Sequence, residues 1–436
     1  MNNVFVLDMN KQKLNPVHPG RARILLSSGR AAVYRRYPFT IILKCSAETV
    51  DVEPLRVKLD PGSQQTGMAV VNDVSGEVVF AAEIMHRGRA IKGRLDDRRA
   101  VRRNRRQRQT RYRQPRFNNR RRRNGWLPPS LESRISNVVT WVRRLLRVCP
   151  ISAMSLELVK FDMQAMVHPE IEGVEYRRGT LYGYEVREYL LEKWSRACTY
   201  CGIQNVPFQV EHIRPRAKGG TDGVSNLCLA CEPCNKAKGT QDIHDFLAEQ
   251  PELLKCVLTQ AKASLKDAAA VNITRWELYH KLLALGLPIE CGSGGRTKYN
   301  RTRRELPKTH WVDAACVGVS TPEHLHILGV VPLLITANGH GCRQMCAMDS
   351  TGFPRTSAKQ AGRTCGFQTG DIVRAVVTSG KKVGTYVGRV AVRANGSFNI
   401  KTKQGMMQGI SHRFCTIVHH VDGYSYQKGG AAPPFW

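Results

Sequence analysis

The stretch CTYCGIQNVPFQVEHIRPRAKGGTDGVSNLCLACEPCNKAKG, from Cys198 to Gly239, sets a Glu-His pair between two Cys-x-x-Cys pairs and closes on an asparagine. Each Cys-x-x-Cys can grip one side of a tetrahedral zinc. Cys198, Cys201, Cys231 and Cys234 therefore offer four thiolates and no open position, the structural kind of site. Four buried cysteines unrelated to metal are the plain alternative, and two pairs bracketing a histidine-bearing loop argue against it. Cys228, just before the second pair, reads as a core residue. VEHIRPRAKGG places a strand, the Glu-His pair and a turn, and CNKAKG puts Asn235 on the first turn of a helix, a ββα-metal layout. Histidine titrates near neutral pH, so His212 is suited to taking a proton from water. Glu211 and Asn235 are hard oxygen ligands for one Mg²⁺, which would stabilise charge on a phosphate and its leaving oxygen. Asn226 is expected to brace the loop around His212 through backbone hydrogen bonds. A zinc finger without catalysis shares the cysteine spacing but has no need of His212 or Asn235.

Around this module the chain is strongly basic: 67 Lys+Arg against 35 Asp+Glu give a formal charge of +32. Such a charge says little about fold and much about partners, with nucleic acid ahead of a membrane surface. No stretch approaches the roughly 18 apolar residues that span a bilayer. The start, MNNVFVLDMNKQK, lacks a secretory layout, so a reducing, intracellular location is expected and the cysteines read as metal ligands or core. Cys342 and Cys346 have a metal-like spacing with no second pair, and read as ordinary thiols.

Between Arg87 and Arg123 stand seventeen Arg and one Lys against Asp96 and Asp97, a net of +16 and half the excess of the whole chain. Residues 89–113 hold no Pro and one Gly, so a long helix ending before Pro115 is predicted. It lacks an apolar stripe, and acids that would relieve its self-repulsion are almost absent. A solvated charged face is the bland reading. Phosphates are the better counter-charge, and arginine forks that pair with phosphates and stack on bases favour RNA.

Residues 1–50 read as a small basic unit with helical spacing at Ala22, Leu25 and Leu26 and a β-rich run from Phe39 to Leu43. LRVKLD, GMAVVN and EVVFAAEI (within 55–84) read as three strands split by turns. SLESRISNVVTWVRRLLRV (130–148) is an amphipathic helix and ISAMSLELV a strand. Helices are expected at 183–194 and 251–285, then a glycine-rich break, CGSGGRTKYNRT. HWVDAACVG begins a further helix. From about residue 320 the chain turns β-rich (HLHILGV, GDIVRAVVT, KVGTYVGRVAVR, SFNIKT), suggesting a small barrel-like unit. Asp60 ends one strand, Glu157 lies in another and Asp313 opens a helix. Each acid alone is unremarkable; together they suit two divalent cations about 4 Å apart that clamp a scissile phosphate. His310, one helical turn before Asp313, could activate water. Asp8, in a similar strand but without the glycine-rich hairpin, reads as structural. Tyr424, Tyr426, Phe435 and Trp436 could stack on bases or simply pack.

Taken together, these residues resemble IscB, the transposon-encoded RNA-guided nuclease family related to the large single-effector CRISPR nucleases, over essentially the whole chain. LDPGSQQTG, SLELV and HWVDAA resemble three split RuvC motifs, carrying Asp60, Glu157, His310 and Asp313. EYLLEKWSRACTYCG through CNKAKG resembles an inserted HNH domain carrying His212, with Glu211 where many such domains have Asp. The Arg-rich helix resembles a bridge helix that holds guide RNA through Arg94, Arg98, Arg99, Arg102, Arg103, Arg105, Arg106, Arg108, Arg111 and Arg113. NPVHPGRARILLSSGRAAVYRRYPFTI resembles the family's small N-terminal domain. GFQTGDIVRAVV through HRFCTIV resembles its terminal domain.

The resemblance implies an α/β multidomain protein: an RNase H-like (RuvC) mixed sheet with helices, an inserted ββα-metal HNH domain with zinc knuckles, an Arg-rich bridge helix and a β-rich C-terminal domain. The implied division is 1–50 N-terminal, 51–86, 126–182 and 246–320 RuvC-like, 87–125 bridge helix, 183–245 HNH, and 321–436 reading the target-adjacent motif and RNA. Implied too are an RNA-guided double-strand DNA endonuclease, structured guide RNA and duplex DNA as partners, Mg²⁺ and structural Zn²⁺, and a monomeric protein in a prokaryotic, cytoplasmic ribonucleoprotein, nucleoid-associated when bound to DNA. The HNH site would cut the guide-paired strand and the RuvC-like site the displaced one. A protein-guided endonuclease of homing or junction-resolving type, and a binding protein without catalysis, are the competing classes.

Overall fold

The computed structural model describes residues 2–47, 51–107, 126–158, 186–187, 190–191, 193–204, 206–262, 266–339, 355–357, 363–402 and 404–430. The first element, β1 (Val4–Leu7), is buried along its whole length. It sits in a four-stranded sheet with β2 (Lys13–Val17), β3 (Ala31–Arg35) and β4 (Thr40–Leu43), ordered β2-β1-β4-β3. Helix α1 (Pro19–Ser27) follows β2 and brings Ala22 into a core with Val4, Val6 and Ile41. Alternation along β1 turns Phe5 the other way, onto Phe80 of the neighbouring sheet at 5.6 Å between ring centroids.

That neighbour is the centre of the molecule. β5 (Leu55–Pro61), β6 (Gln65–Asn72) and β7 (Val78–Met85) form a continuous antiparallel meander. Helices α2 (Gly88–Gln107) and α3 (Pro129–Leu146) follow. β8 (Ile151–Glu157) then lies parallel to β5. The full sheet has seven strands, ordered β11 (Ile289–Gly292), β8, β5, β6, β7, β12 (Leu333–Ala337), β20 (Tyr424–Lys428). One face packs Leu55, Val57, Leu59, Met68 and Val70 under Ile135, Val138, Trp141, Val142 and Leu145 of α3. The other packs Ala69, Val71 and Ala81 under Trp311, Val312, Ala314 and Ala315. A sheet covered on both faces needs unbroken apolar strands, which is why GMAVVN and EVVFAA read as they do. Trp141 and Trp311 are fully buried on opposite faces, and truncating either would cost about 3–5 kcal/mol.

The Cys-rich module follows β8 in sequence. It pairs β9 (Phe208–His212) with β10 (Leu227–Cys231), followed by α4 (Glu232–Lys238), α5 (Ile243–Phe246) and α6 (Pro251–Ala261). Of the helix expected at 183–194, residues 186–187, 190–191 and 193 are helical, and the remainder lies outside the described residues. Helix α7 (Lys266–Leu283) returns to the central core through Leu278 and Leu282. β11 (Ile289–Gly292) then pairs parallel with β8.

Three differences from the sequence reading stand out. CGSGGRTKYNRT is no break: after β11 it forms α8 (Gly294–Arg303), whose first turn is capped by the Ser293 hydroxyl accepting from Arg296 N. The cap and a buried Asn300 do for this helix what an apolar stripe does elsewhere. HLHILGV forms no strand; it lies against the β6–β7 turn through the Val78 N–H donating to His326 O at 3.3 Å. Lastly, stretch 321–436 does not keep to itself. β12 (Leu333–Ala337) pairs with β7 and with β20 (Tyr424–Lys428), extending the central sheet. Between them, a hairpin of β13 (Arg363–Thr364) and β14 (Phe367–Gln368) precedes a separate five-stranded antiparallel sheet. That sheet comprises β15 (Ile372–Val377), β16 (Gly384–Ala391), β17 (Ser397–Lys401), β18 (Met406–Ser411) and β19 (Cys415–His419), closed on Val373, Val390, Phe398 and Ile400. Cys342 and Cys346 lie outside the described residues.

Candidate active sites

The period of β5 decides where Asp60 points. Because Leu55, Val57 and Leu59 enter the α3 core, Lys58 and Asp60 turn to the opposite face, where α9 (His310–Ala315) lies. Lys58 fixes that helix. Its buried ammonium donates to Val317 O at 2.8 Å and to the Ser320 and Thr321 hydroxyls at 3.2 Å, just past the helix end. Burial lowers its pKa to about 8, despite opposing charge on Glu290. Gly67, paired with Asp60 across the hairpin, lets the helix come close. A Cβ there would fall 1.8 Å from His310 O. Glu157 ends β8, one residue past the Leu59–Leu156 register pair, beside Asp60.

Asp60, Glu157, His310 and Asp313 accordingly line one cavity of about 430 Å³. Burial, then the charges of Glu157 and Asp313, hold the Asp60 carboxyl well above the usual carboxylate range. Burial likewise raises Asp313, against the pull of Arg301, Arg196 and Lys308. The three carboxylates do not all approach within 4.8 Å, a spacing that among the described residues only the four cysteines reach. Two of the acids are instead held by arginine: Arg275 stands 3.7 Å from Glu157, and Arg301 2.7 Å from Asp313. Sequence reading missed both arginines, since nothing local marks a basic side chain that will face an acid from another element. Asp8 is buried and accepts from Gln12 N at 2.7 Å, a turn-forming role away from this cavity.

In the Cys-rich module, the four sulfurs of Cys198, Cys201, Cys231 and Cys234 all lie within 4.8 Å of one another. Partial burial raises the Cys198 thiol, but N–H groups of Cys201, Cys231 and Tyr200 outweigh it and bring it down to about 7. Four soft donors converging within 4.8 Å of one another are a donor set that fits zinc. Cys228 stands apart, fully buried, 3.4 Å from the Tyr200 hydroxyl, and burial raises it to about 11.

His212 closes β9, and its Nε2 lies 2.7 Å from Asp222 Oδ1. Asp222 is itself clamped by Arg216, whose Nε and Nη2 donate at 2.8 and 2.7 Å. The imidazole is thus oriented by a carboxylate that the sequence reading did not single out, because it comes from the loop between the strands. Asn226 ties that loop: it accepts from Arg214 N at 2.8 Å and donates to Arg214 O and Thr221 O at 3.0 and 2.8 Å. The other two positions are engaged within the protein. Glu211 pairs with the fully buried Lys238 at 2.9 Å, and Lys238 also donates to His212 O at 2.7 Å. The Asn235 amide donates to Gln209 Oε1. Glu211 and Gln209 share one face of β9, so Asn235 and Glu211 belong to the same side of the module.

Along α2, Arg94, Arg98, Arg99, Arg102 and Arg103 are exposed, and no salt bridge among the described residues holds any of them. Arg105 and Arg106 belong to the same helix, whereas Arg108, Arg111 and Arg113 lie outside the described residues. Tyr424 and Tyr426 pack: Tyr426 stacks on Tyr37 at 3.9 Å and meets Trp141 edge-on, while Arg144 lies over Tyr424. Phe435 and Trp436 lie outside the described residues.

Residues 198–241 match the family profile of the HNH endonuclease, and residues 4–179 match a family described as RRXRR protein. No curated protein matches the chain. Among solved structures, the chain is similar to Streptococcus thermophilus Cas9 in complex with the AGAA PAM, at 12% identity over 61% of this chain and 32% of that one, with a TM-score of 0.22. It is also similar to the Type II-C Cas9 enzyme from Actinomyces naeslundii, at 17% identity over 46% and 29%, with a TM-score of 0.15. The chain spans about a third of the length of these proteins. The protein is thus a mixed α/β chain carrying an HNH nuclease domain. No described helix is long and apolar enough to cross a membrane.

Proposed function

We propose that the protein is an RNA-guided endonuclease that cuts both strands of DNA, the HNH domain cutting the guide-paired strand and the carboxylate cavity the displaced one. The observation that carries this reading is the meeting of Asp60, Glu157 and Asp313, distant in sequence, in one cavity of a chain that also holds an HNH domain. The strand order β11-β8-β5-β6-β7, with β6 antiparallel to its neighbours and Asp60 and Glu157 at the carboxyl ends of parallel strands, supports an RNase H-like core. The resemblance to IscB supplies the division of labour between the centres.

In the HNH domain, His212 takes the proton from the attacking water while Asp222 holds the ring and Asn226 holds the loop. Glu211 and Asn235 would hold a divalent cation, and Asp60, Glu157 and Asp313 suit two. Burial first, then repulsion from Glu157 and Asp313, raises Asp60, and that repulsion is what such cations would relieve. Bound there, divalent cations supply charge stabilisation for the phosphate and leaving oxygen. His310, exposed at the start of α9 and lining the same cavity, would move the proton there. For the domain division we keep the boundaries proposed from the sequence, with β12 and β20 assigned to the central sheet.

The function is tested by purifying the protein with its bound RNA, sequencing that RNA, and offering a duplex matched to it with Mg²⁺. Both strands are cut and ribonuclease treatment abolishes cutting. Cleavage that survives ribonuclease, with no RNA co-purifying, would favour a protein-guided enzyme instead.

Two further results are expected. Changing Arg94, Arg98, Arg99, Arg102 and Arg103 to Gln weakens RNA binding and flattens its salt dependence, each lost phosphate contact removing about 0.7–0.9 from the log–log slope; an unaltered slope would assign the helix another partner. We also assign Zn²⁺ to the four cysteines. Elemental analysis should find one zinc per chain, and Cys231→Ser should lose it and lower the melting temperature, because structural zinc is worth about 10 kcal/mol or more to such modules. Unchanged melting with no metal would make the cluster a plain thiol core.

A further inference from the structure

The carboxylate cavity has a second wall, and that wall is cationic. Besides the three acids it is lined by Arg196, Lys298, Arg301 and Lys308. Arg301 is held by Asp313, but no salt bridge among the described residues engages Lys298 or Lys308. Lys298 is partly buried and Lys308 is exposed.

The α8 part of this wall is fixed by hydrogen bonds. On α8, Thr297, Lys298 and Arg301 share the face that lines the cavity, at helical spacing. Asn300, on another face, is buried and donates to Cys316 O at 2.9 Å and Gly318 O at 2.8 Å, locking α8 to the end of α9. Arg304 adds bonds to Pro322 O and Glu323 O at 2.9 Å. Arg196 reaches the cavity from the start of the HNH domain, on a backbone where Ser195 and Arg196 both hold positive φ, 54° and 55°. That conformation is costly for residues with a Cβ and is kept where the surroundings impose it.

Like charges so arranged repel. Burial lowers the Lys298 ammonium, and the positive charges of Arg196, Arg301, Arg187 and Lys308 lower it further, with no acid opposing them among its main influences. Lys308 is lowered by burial and then by Arg196, with Asp313 opposing. Lys298 and Lys308, which no salt bridge among the described residues engages, leave this group of cations open to an anion. Beside three carboxylates suited to divalent cations, the anion that fits both walls is a phosphodiester, with its scissile phosphate on the acidic side and a flanking phosphate on the basic one.

We propose that Lys298 and Lys308, with Arg196 and Arg301, form a phosphate grip that holds the backbone of the displaced DNA strand one or two linkages from the bond cut at the carboxylates. This rests on the reading of Asp60, Glu157 and Asp313 as a cleavage centre. The lysines act as positioning residues: they hold the strand and take no part in bond making. Arg196 also makes the grip depend on the HNH domain being in place.

The test uses the purified ribonucleoprotein, a matched duplex, and a displaced strand whose linkages around the cut are replaced one at a time by neutral methylphosphonate. For the wild type, one flanking methylphosphonate slows displaced-strand cutting about tenfold, the worth of a charge-assisted hydrogen bond. The Lys298→Gln/Lys308→Gln variant is slowed comparably on the all-phosphate strand, mainly through KM, and the same methylphosphonate slows it no further. Lys298→Arg/Lys308→Arg restores the rate, and cutting of the guide-paired strand stays within about twofold throughout. Unchanged displaced-strand cutting by the Gln variant would overturn the grip. So would additive effects of variant and methylphosphonate, or an equal loss on both strands. Asp60→Ala serves as the separate control: if it still cuts the displaced strand, the cleavage centre itself is misassigned, whatever the lysines do.

Discussion

Asp60→Ala should abolish cutting of the displaced strand, by about a thousandfold or more, while the guide-paired strand is still cut. Asp60 stands at the end of β5 on the face shared with α9, where burial and the negative charges of Glu157 and Asp313 act on it together. Alanine leaves β5, its register with Gly67 and the core beneath untouched, because the Asp60 side chain points away from the packing formed by Val57 and Leu59. What is lost is one of the three carboxylates that, on the proposed reading, would hold the cations for phosphodiester hydrolysis. Asp60→Asn should behave alike, separating charge from shape. The measurement is a duplex labelled on each strand in turn and resolved under denaturing conditions. Double-strand cleavage at the wild-type rate would remove Asp60 from the mechanism.

His212→Ala should give the opposite nickase, with guide-paired cutting reduced about 10²–10⁴-fold, the range for loss of a general base. The imidazole is held at 2.7 Å from Asp222 and its backbone carbonyl is tied by Lys238. The alanine variant therefore keeps the β9–β10 hairpin and the four-cysteine cluster, and its thermal unfolding should match the wild type. Loss of both cuts would contradict two independent centres. Because the strands carrying His212 and Asp60 pack into separate cores, the two variants should also combine without interaction in binding.

What could be read in the sequence followed from local signals. The three strands of the meander announce themselves by apolar runs between Pro-Gly and Ser-Gly turns, and the cysteine pairs by spacing alone. Asn226 could be assigned to bracing because a loop asparagine can hydrogen-bond the backbone around it. The unread parts depend on partners far along the chain. Nothing in LLITA or YSYQK says that β12 and β20 will join the central sheet, since strand pairing carries no local mark of its partner. Helix α8 was hidden by its glycines and by the absence of an apolar stripe, its stability coming from the Ser293 cap and Asn300 instead. Arg275, Arg301 and Asp222 escaped notice for the same reason: each matters only through an acid or a histidine that another element supplies.

The central claim is that Asp60, Glu157 and Asp313 form a metal-dependent cleavage centre separate from the HNH domain. The most direct measurement is an anomalous difference map from crystals of the ribonucleoprotein soaked in Mn²⁺. The account predicts peaks among these three carboxylates, with Arg275 and Arg301 drawn away from Glu157 and Asp313. A map empty at this cavity, with both arginines still on their acids at a Mn²⁺ concentration that fills the HNH site, would contradict it.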